Sequence, residues 1–299
     1  MLGHRKLIAL CAVAAVAAAG GVEVVDGAPE THEQAQTPTP TPSPPPLPDP
    51  DAPLASDAAT LAAALTTTTQ DLDAAIDRWR AEQDPAVGGP PRDVALLALH
   101  QQRIYRRLGD RPALSRDVLK SLPTTLRDEA RDNVLARREL HKITSVRRGP
   151  PPKIRIGPAE PADVLCDHYR EASRRFHIRP PLLAAMNFVE SAFGRLRNRS
   201  ISGAKGPMQF IPATWRAYGL GGNIHDPHDA ILGAANYLHA SGAPKDERGA
   251  LYHYNPSPHY VSAILRYARR IRADVRAFYA YYAWQVYVGE HRLTEPPPE

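Results

Sequence analysis

The stretch "NFVESAFG" (187–194) ends an apolar helical pattern and carries a single carboxylate, Glu190. Apolar residues recur at helical spacing along this segment, which has Pro181 in its first turn, at Leu182, Met186, Val189 and Phe193. Such spacing predicts an α-helix with one apolar face. Because Glu190 borders that face, we interpret the fold and the chemistry of this segment together.

Helical periodicity recurs on both sides of this segment. Upstream, residues 54–146 predict three helices, the first capped by Ser56, the second closing at Gly109 and the third starting near Thr125. Downstream, the predicted helices include one that starts at Asp226-Pro227 and a last long helix that runs from Pro258 through Phe278. No strand pattern of similar length competes, apart from short strands near 200–210. The sequence therefore predicts an all-α, mainly helical protein.

The N-terminal residues indicate export. Residues 1–27 begin with His4, Arg5 and Lys6 and continue with an apolar run of about thirteen residues and small residues, as in a secretory signal peptide. That run is shorter than the roughly twenty residues of an ordinary membrane span. The alternative is an uncleaved anchor that tethers the protein to a membrane. We expect an extracytoplasmic protein of the cell wall or periplasm.

Proline marks the predicted boundaries. Many of the chain's 31 prolines lie in residues 28–53, which predict a disordered linker. Residues 147–160 form a second Pro/Gly-rich linker. The linkers delimit a helical region of unknown role (54–146) and a second helical region (161–292), followed by a tail (293–299). If the signal is cleaved, Cys166 is the remaining cysteine, and we interpret it as a core residue rather than a nucleophile.

Charge and composition narrow the function classes. The net charge of +5 is mild, and no basic stripe with interleaved aromatics predicts nucleic-acid binding. His225 and His228 do not show a convincing metal-ligand spacing, so we predict no metal and no cofactor. The sequence does not indicate an oligomeric state.

The position of Glu190 is unusual for a carboxylate. We expect Gly194 to end its helix, which places Glu190 in the last turn, at the negative end of the helix dipole. Apolar neighbours and the dipole both favour the neutral form, so we expect a raised pKa and a group protonated at rest, as a general acid requires. The alternative, which an isolated Glu would favour, is a solvated side chain or a pair with Arg195 or Arg197.

Two downstream segments add polar and aromatic groups on loops. "SGAKGPMQFIPATWRAYG" (202–219) places Gln209 among apolar neighbours, and "ALYHYNPSPHYV" (250–261) brings Tyr254 and Asn255 into a predicted irregular turn. Aromatic faces and amide donors are the groups that bind carbohydrates. These segments favour a functional role for the Glu190 carboxyl over a solvated side chain.

The ordered series "ES" (190–191), "GAKGPMQFIPATW" (203–215), "DPHDAILGAANYL" (226–238) and "YN" (254–255) resembles the lytic transglycosylases with a goose-type-lysozyme-like domain. The resemblance covers about residues 161–270. It implies a lysozyme-like catalytic domain, preceded here by the helical N-terminal region, that acts on peptidoglycan glycan strands.

The resemblance also implies roles for individual residues. It makes Glu190 the catalytic acid/base and Ser191 a substrate-binding neighbour. The family's "GLMQ" reads "GPMQ" here, which carries glycan binding over to Met208 and Gln209, whereas Pro207 is a departure. The family's "AYN" reads "HYN", and its matching groove residues are Tyr254, which the resemblance places near the catalytic carboxyl, and Asn255. Further groove candidates are Phe210 and Tyr237, with core packing as the alternative for Tyr237.

The implied reaction cleaves the β-1,4 bond between N-acetylmuramic acid and N-acetylglucosamine and leaves a 1,6-anhydromuramoyl end. Asp226 and Asp229 are the best candidates for a second carboxylate, but we interpret both as helix-capping residues. Two alternatives stay open at this point: a hydrolytic muramidase, and a non-catalytic wall-binding protein with the same fold.

Overall fold

A computed structural model describes residues 46–143, 154–288 and 291–293. These residues form eleven α-helices and one two-stranded antiparallel hairpin, which confirms the predicted all-α class. The helices are α1 (Ala58–Glu82), α2 (Arg92–Asp110), α3 (Pro112–Ser121), α4 (Thr124–Ile143), α5 (Ala162–Phe176), α6 (Pro180–Ser191), α7 (Pro212–Tyr218), α8 (Pro227–Ala240), α9 (Glu247–Tyr254), α10 (Pro258–Ala273) and α11 (Arg276–Ala283), and the strands are β1 (Tyr287–Val288) and β2 (His291–Arg292). In these ranges no helix is both long enough and apolar enough to span a bilayer.

One hydrophobic core joins the helices on both sides of the predicted linker at 147–160. Helix α4 packs along α10, and α1 and α2 pack against α11. The aromatic residues of α11 and the following Trp284 are buried in this core: the Trp79 ring lies 5.6 Å from the Tyr279 ring, and the Tyr105 ring lies 5.9 Å from the Trp284 ring. The N-terminal helices α1, α2 and α4 therefore cover α10 and α11.

Several predicted helix ends were wrong. Asp57, rather than Ser56, caps α1, because its carboxylate accepts the Thr60 N–H at 2.8 Å. Helix α2 continues one residue past Gly109, and α3 was not predicted, because Pro112 was not recognised as the first residue of a new helix. The predicted last helix is two helices, since the chain is extended at Asp274, whose carboxylate accepts the Arg276 N–H at 2.9 Å.

Parts of the predicted linkers are attached to the body. The main chain of residues 155–157 pairs with residues 195–197, with Ile156 opposite Leu196. Arg103 donates to the carbonyl oxygen of Ala52 at 2.6 Å, so the end of the Pro-rich segment is also held. At the predicted tail, Leu293 donates its N–H to Val286. The rest of these segments, 28–45, 147–153 and 294–299, and the predicted signal lie outside the described residues.

Charged side chains cross the interface between α4 and α10. The buried Asp132 carboxylate accepts hydrogen bonds from Arg266 at 3.0 Å and from Arg269 Nε at 2.8 Å. One turn earlier, Glu129 accepts the Tyr105 hydroxyl at 3.2 Å. Burial and then the nearby Asp73 charge raise the pKa of Glu129 to about 7. The interface therefore contains one satisfied carboxylate and one that is held mostly protonated below neutral pH.

We expect the Glu129→Gln variant to lose part of the pH dependence of stability. In the unfolded chain this carboxyl has its ordinary pKa of 4.5, below its folded value of about 7. Between these two values the folded state binds more protons, so the free energy of unfolding falls as pH rises. We expect this group to lower stability by about 2 kcal/mol from pH 5 to pH 8, after discounting for partial exposure.

Chemical denaturation at pH 5 and pH 8 measures this effect, with Asp128→Asn on the exposed side of α4 as the control. The variant Glu129→Gln should show a flatter pH profile, whereas the control should follow the wild type. A wild-type profile in Glu129→Gln would contradict the assignment of this titration to Glu129.

Candidate active site

Helix α6 ends earlier than predicted, and its end shapes the site. Its last helical residue is Ser191 rather than a residue next to Gly194, and Ala192, Phe193 and Gly194 all have positive φ angles of 50°, 63° and 84°. Two of these are non-glycine residues in a conformation that costs about 1 kcal/mol or more each. The burial of both in the core holds this turn in place and leaves Glu190 in the last turn of the helix.

Glu190 is buried inside the protein. It is only 2% exposed, which excludes the alternative of a solvated side chain. The hydroxyl group of Tyr260, near the start of α10, donates a hydrogen bond to Glu190 Oε1 at 2.8 Å. Sequence reasoning missed Tyr260, which is 70 positions further along the chain, although its place one turn before the buried Ile264 marks it as facing the core.

A tight loop follows at residues 205–210. The main chains of Lys205 and Phe210 pair across it, which leaves an isolated bridge where short strands were considered. Gly206 has a φ of 74°, and a Cβ there would lie 1.8 Å from the carbonyl oxygen of Ile224, so no other residue fits without movement. Gln209 also has a positive φ, 49°, and its side-chain amide donates to the Gly206 carbonyl at 3.0 Å. Gln209 therefore braces its own loop.

Two polar side chains of α6 tie this loop to the helix that carries Glu190. The Ser191 hydroxyl donates to the carbonyl of Pro207 at 2.5 Å, and the Asn187 amide donates to the same carbonyl at 3.1 Å. Tyr169 of α5 in turn donates to Asn187 Oδ1 at 2.7 Å. Ser191 is fully buried, so in this structure it holds the loop, and its predicted contact with substrate stays a prediction.

Tyr254 joins the loop to α9. Its hydroxyl donates to the carbonyl oxygen of Met208 at 2.5 Å, and its ring lies 5.6 Å from that of Phe210 and 5.5 Å from that of Tyr237. The side chains of Met208 and Phe210 are buried, whereas Tyr237 is half-buried. Tyr237 donates to the His253 carbonyl at 3.1 Å. The predicted groove residues therefore lie together, with Tyr237 at the outer edge.

The ends of helices position the last two candidates. Tyr254 is the last residue of α9, and Asn255 caps that helix by donating its N–H to Leu251, so the predicted irregular turn begins one residue later than expected. Asn255 is 2% exposed, and its Nδ2 atom has no hydrogen-bond partner within the residues that the structure describes. The side-chain amide of Asn255 thus keeps an unused donor directly after α9.

The pKa values of two tyrosines near Glu190 are raised. Burial, followed by the Glu190 carboxylate, raises the pKa of Tyr254 and of Tyr260 well above the usual value. Both hydroxyls therefore stay protonated at any physiological pH and act as hydrogen-bond donors. Tyr254, as the resemblance implied, lies near the carboxyl, but Tyr260 also contacts it directly.

Other reactive groups have simpler explanations. Burial raises the pKa of the Cys166 thiol to about 12, so it is not a thiolate near neutral pH. Within the described ranges, Asp226, His228 and Asp229 have donor atoms within 4.8 Å of one another. Asp226 accepts the Asp229 N–H at 3.0 Å, which confirms Asp226 as the cap of α8. Asp229 accepts the Asn223 N–H at 2.8 Å and so holds the turn before the helix instead of capping it. His228 contacts Glu171 at 3.0 Å.

Comparison with protein families decides the nature of this region. The family model described as Transglycosylase SLT domain matches residues 167–273, from within α5 to the end of α10. This stretch is a transglycosylase SLT domain. The SLT domain is lysozyme-like, and its presence indicates an enzyme, a lytic transglycosylase of peptidoglycan. Comparison with solved structures gives no match.

The SLT domain contains every candidate residue named above, from Glu190 to Asn255, together with Tyr260. Helices α1–α4, helix α11 and the hairpin lie outside the matched residues. These elements are thus additional to the matched domain, although they share a hydrophobic core with its helix α10.

We expect the Tyr260→Phe variant to lower kcat by about tenfold to a hundredfold with little change in KM. The substitution removes the hydrogen bond that fixes the Glu190 carboxyl, and a hydrogen bond to a charged group contributes about 1.5–3 kcal/mol. Initial rates on purified peptidoglycan measure the split between kcat and KM. Tyr252→Phe, on the exposed side of α9, is the matched control. Wild-type kcat in Tyr260→Phe would show that Glu190 does not depend on this contact.

Proposed function

We propose that Glu190 cleaves the β-1,4 bond between N-acetylmuramic acid and N-acetylglucosamine and that the muramoyl sugar leaves as a 1,6-anhydro product. The observation that supports this most strongly is a buried carboxyl with a tyrosine hydroxyl on Oε1, inside an SLT domain. A carboxyl removed from water and held by a fixed donor is suited to proton transfer.

In the proposed reaction, Glu190 first gives its proton to the glycosidic oxygen as the bond to the anomeric carbon breaks. The N-acetyl group of the muramoyl sugar assists at that carbon. The Glu190 carboxylate then takes the proton of the sugar's own 6-hydroxyl, whose oxygen closes the anhydro ring. The nucleophile belongs to the substrate, so proximity replaces a second catalytic carboxylate. This agrees with the structural contacts of Asp226, which caps α8, and of Asp229, which accepts a main-chain N–H of the preceding turn.

We propose contact roles for the groups around the carboxyl. The amide of Asn255, whose Nδ2 atom has no hydrogen-bond partner within the described residues, would bind an acetamido or hydroxyl oxygen of the glycan. Tyr237 presents a half-exposed ring suited to stacking on a sugar. Ser191, Met208, Gln209 and Phe210 contribute by shaping the loop, and Tyr254 by holding it.

Mass analysis of digested peptidoglycan tests the reaction type. We expect muropeptides that end in anhydromuramic acid, which are lighter by one water than the corresponding hydrolysed ends. Products with free reducing ends would instead support the hydrolytic muramidase, in which water replaces the 6-hydroxyl. No released muropeptide would support a wall-binding protein without activity.

We also propose that the enzyme acts outside the cytoplasm, where its substrate lies. The basic and apolar residues of 1–27 support export, either with cleavage or as a membrane tether. Fractionation followed by N-terminal sequencing of the mature protein distinguishes a cleaved signal from an anchor.

A further inference from the structure

A cavity of about 480 Å³ lies outside the SLT domain. Helix α2, the segment at residues 50–54 and the C-terminal hairpin line it. This volume is in the range of small-molecule binding sites. The cavity belongs to the added helical region, for which the enzymatic reaction gives no role.

Arginine dominates the wall of this cavity. Five arginines line it, Arg103, Arg106, Arg107, Arg111 and Arg292, against two carboxylates, Asp51 and Asp110. Guanidinium groups stay charged throughout the physiological pH range. Asp110 is already bound by Arg137 at 3.0 Å, and Asp51 by Arg292 at 3.0 Å. The lining therefore keeps a surplus of positive charge in a concave space, where the charges reinforce one another.

The structure holds several of these arginines in place. Arg103 and Arg107 each donate to main-chain carbonyls, of Ala52 at 2.6 Å and of Leu54 at 3.1 Å. Arg106 is only 9% exposed, and its guanidinium lies 3.8 Å from the centre of the Tyr287 ring. Like charges gathered on one helix face repel each other, so fixed arginines at this density indicate a site that binds an anion.

Unused donors support the same conclusion. Arg103 Nη1 and Arg107 Nε are buried and have no hydrogen-bond partner within the described part of the chain. A buried donor without a partner is unfavourable. A small rotation of either side chain toward a bound oxyanion would satisfy it.

We propose that this cavity binds a phosphate group. The planar guanidinium fork matches phosphate oxygens in pairs, and a phosphate offers more acceptor atoms and more charge than a single carboxylate. The phosphate can come from a soluble phosphate ester or from an anionic lipid headgroup. The ligand would attach the helical region next to the Pro-rich segment to a phosphate-bearing component of the envelope.

Titration of the full chain with inorganic pyrophosphate, followed by calorimetry, tests the proposal. We expect saturable binding that weakens at least about tenfold in Arg107→Gln/Arg111→Gln, because each lost guanidinium removes charge-assisted hydrogen bonds. Within the described residues the Arg111 side chain makes no bond to the main chain of the kind that holds Arg107, so Arg111→Gln alone serves as a second variant with less risk to folding. Circular dichroism verifies that each variant is folded.

The control variant Arg131→Gln/Arg174→Gln removes the same charge from exposed positions on α4 and α5 and should bind as the wild type does. Sedimentation with phosphatidylglycerol vesicles, against phosphatidylcholine vesicles, identifies the source of the phosphate. Binding to the vesicles without binding to pyrophosphate supports the lipid headgroup, and the reverse supports a soluble ester. Binding to neither, or equal weakening in the control variant, would overturn the proposal.

Discussion

Replacing Glu190 with Gln is expected to lower the rate of peptidoglycan cleavage by about 10³- to 10⁴-fold, the upper part of the range for general acid–base catalysis. The same carboxyl is proposed to give a proton and then to take one, so its loss affects both steps. Gln has nearly the same volume and keeps an Oε1 atom that accepts the Tyr260 hydroxyl. The fold around α6 should therefore survive, and the loss should appear in kcat.

Release of soluble muropeptides from purified peptidoglycan measures this effect. Glu171→Gln is the matched control, because Glu171 lies within the same SLT domain at a partly exposed position on α5, with its side chain 45% accessible. We expect the control to digest peptidoglycan at the wild-type rate. If Glu190→Gln kept more than about a tenth of wild-type activity while folded, the proposed role of Glu190 would fail.

Removing the N-terminal helices is expected to unfold the enzyme. A chain that starts at residue 154 lacks α1–α4, which cover α10 and α11. Its aromatic rings would then face water, among them Tyr281, which donates to Asn133 at 2.7 Å, and Trp284, which donates to Gln101 at 3.3 Å. Burial of each large apolar side chain contributes about 1.5–3 kcal/mol. The summed contribution of several such side chains is as large as the free energy of unfolding of an ordinary domain, about 5–15 kcal/mol.

Thermal unfolding followed by near-ultraviolet circular dichroism measures the outcome. We expect no cooperative transition for the chain that starts at residue 154. A chain that starts at residue 46 is the control, and we expect it to unfold like the full-length protein, since the residues removed are predicted to be a signal and a linker. A cooperative transition near the wild-type temperature in the shorter chain would show that the SLT region folds without α1–α4.

The sequence was sufficient for most of the secondary structure and for the identity of the candidate site. Apolar spacing predicted the helix that carries Glu190, and Asp226-Pro227 marked the start of α8 correctly, whereas α9, which ends at Tyr254, was not predicted. Errors occurred at helix ends, where one residue decides between alternatives of similar energy. Asp57 replaced Ser56 as a cap, and Asp274 interrupted a helix whose apolar pattern continues through it.

Contacts between distant segments could not be predicted in the same way. Periodicity shows which face of a helix is buried, but it does not show what covers that face. The hydrogen bond from Tyr260 to Glu190 and the packing of α4 on α10 both join residues far apart in sequence. The contacts of Ser191 and Gln209 could not be predicted for the same reason, because both bind main-chain atoms of a loop whose path depends on Gly206.

The sequence by itself determined that this protein is helical, that one carboxylate lies near the end of an apolar helix, and which family its motifs resemble. All three conclusions follow from the spacing of residues close in sequence, because helix formation and motif recognition depend on neighbours along the chain. Only the tertiary structure decided that Glu190 is buried against Tyr260, that α1–α4 share the core of the SLT region, and that five arginines line one cavity. Burial and charge density depend on segments that meet only after folding.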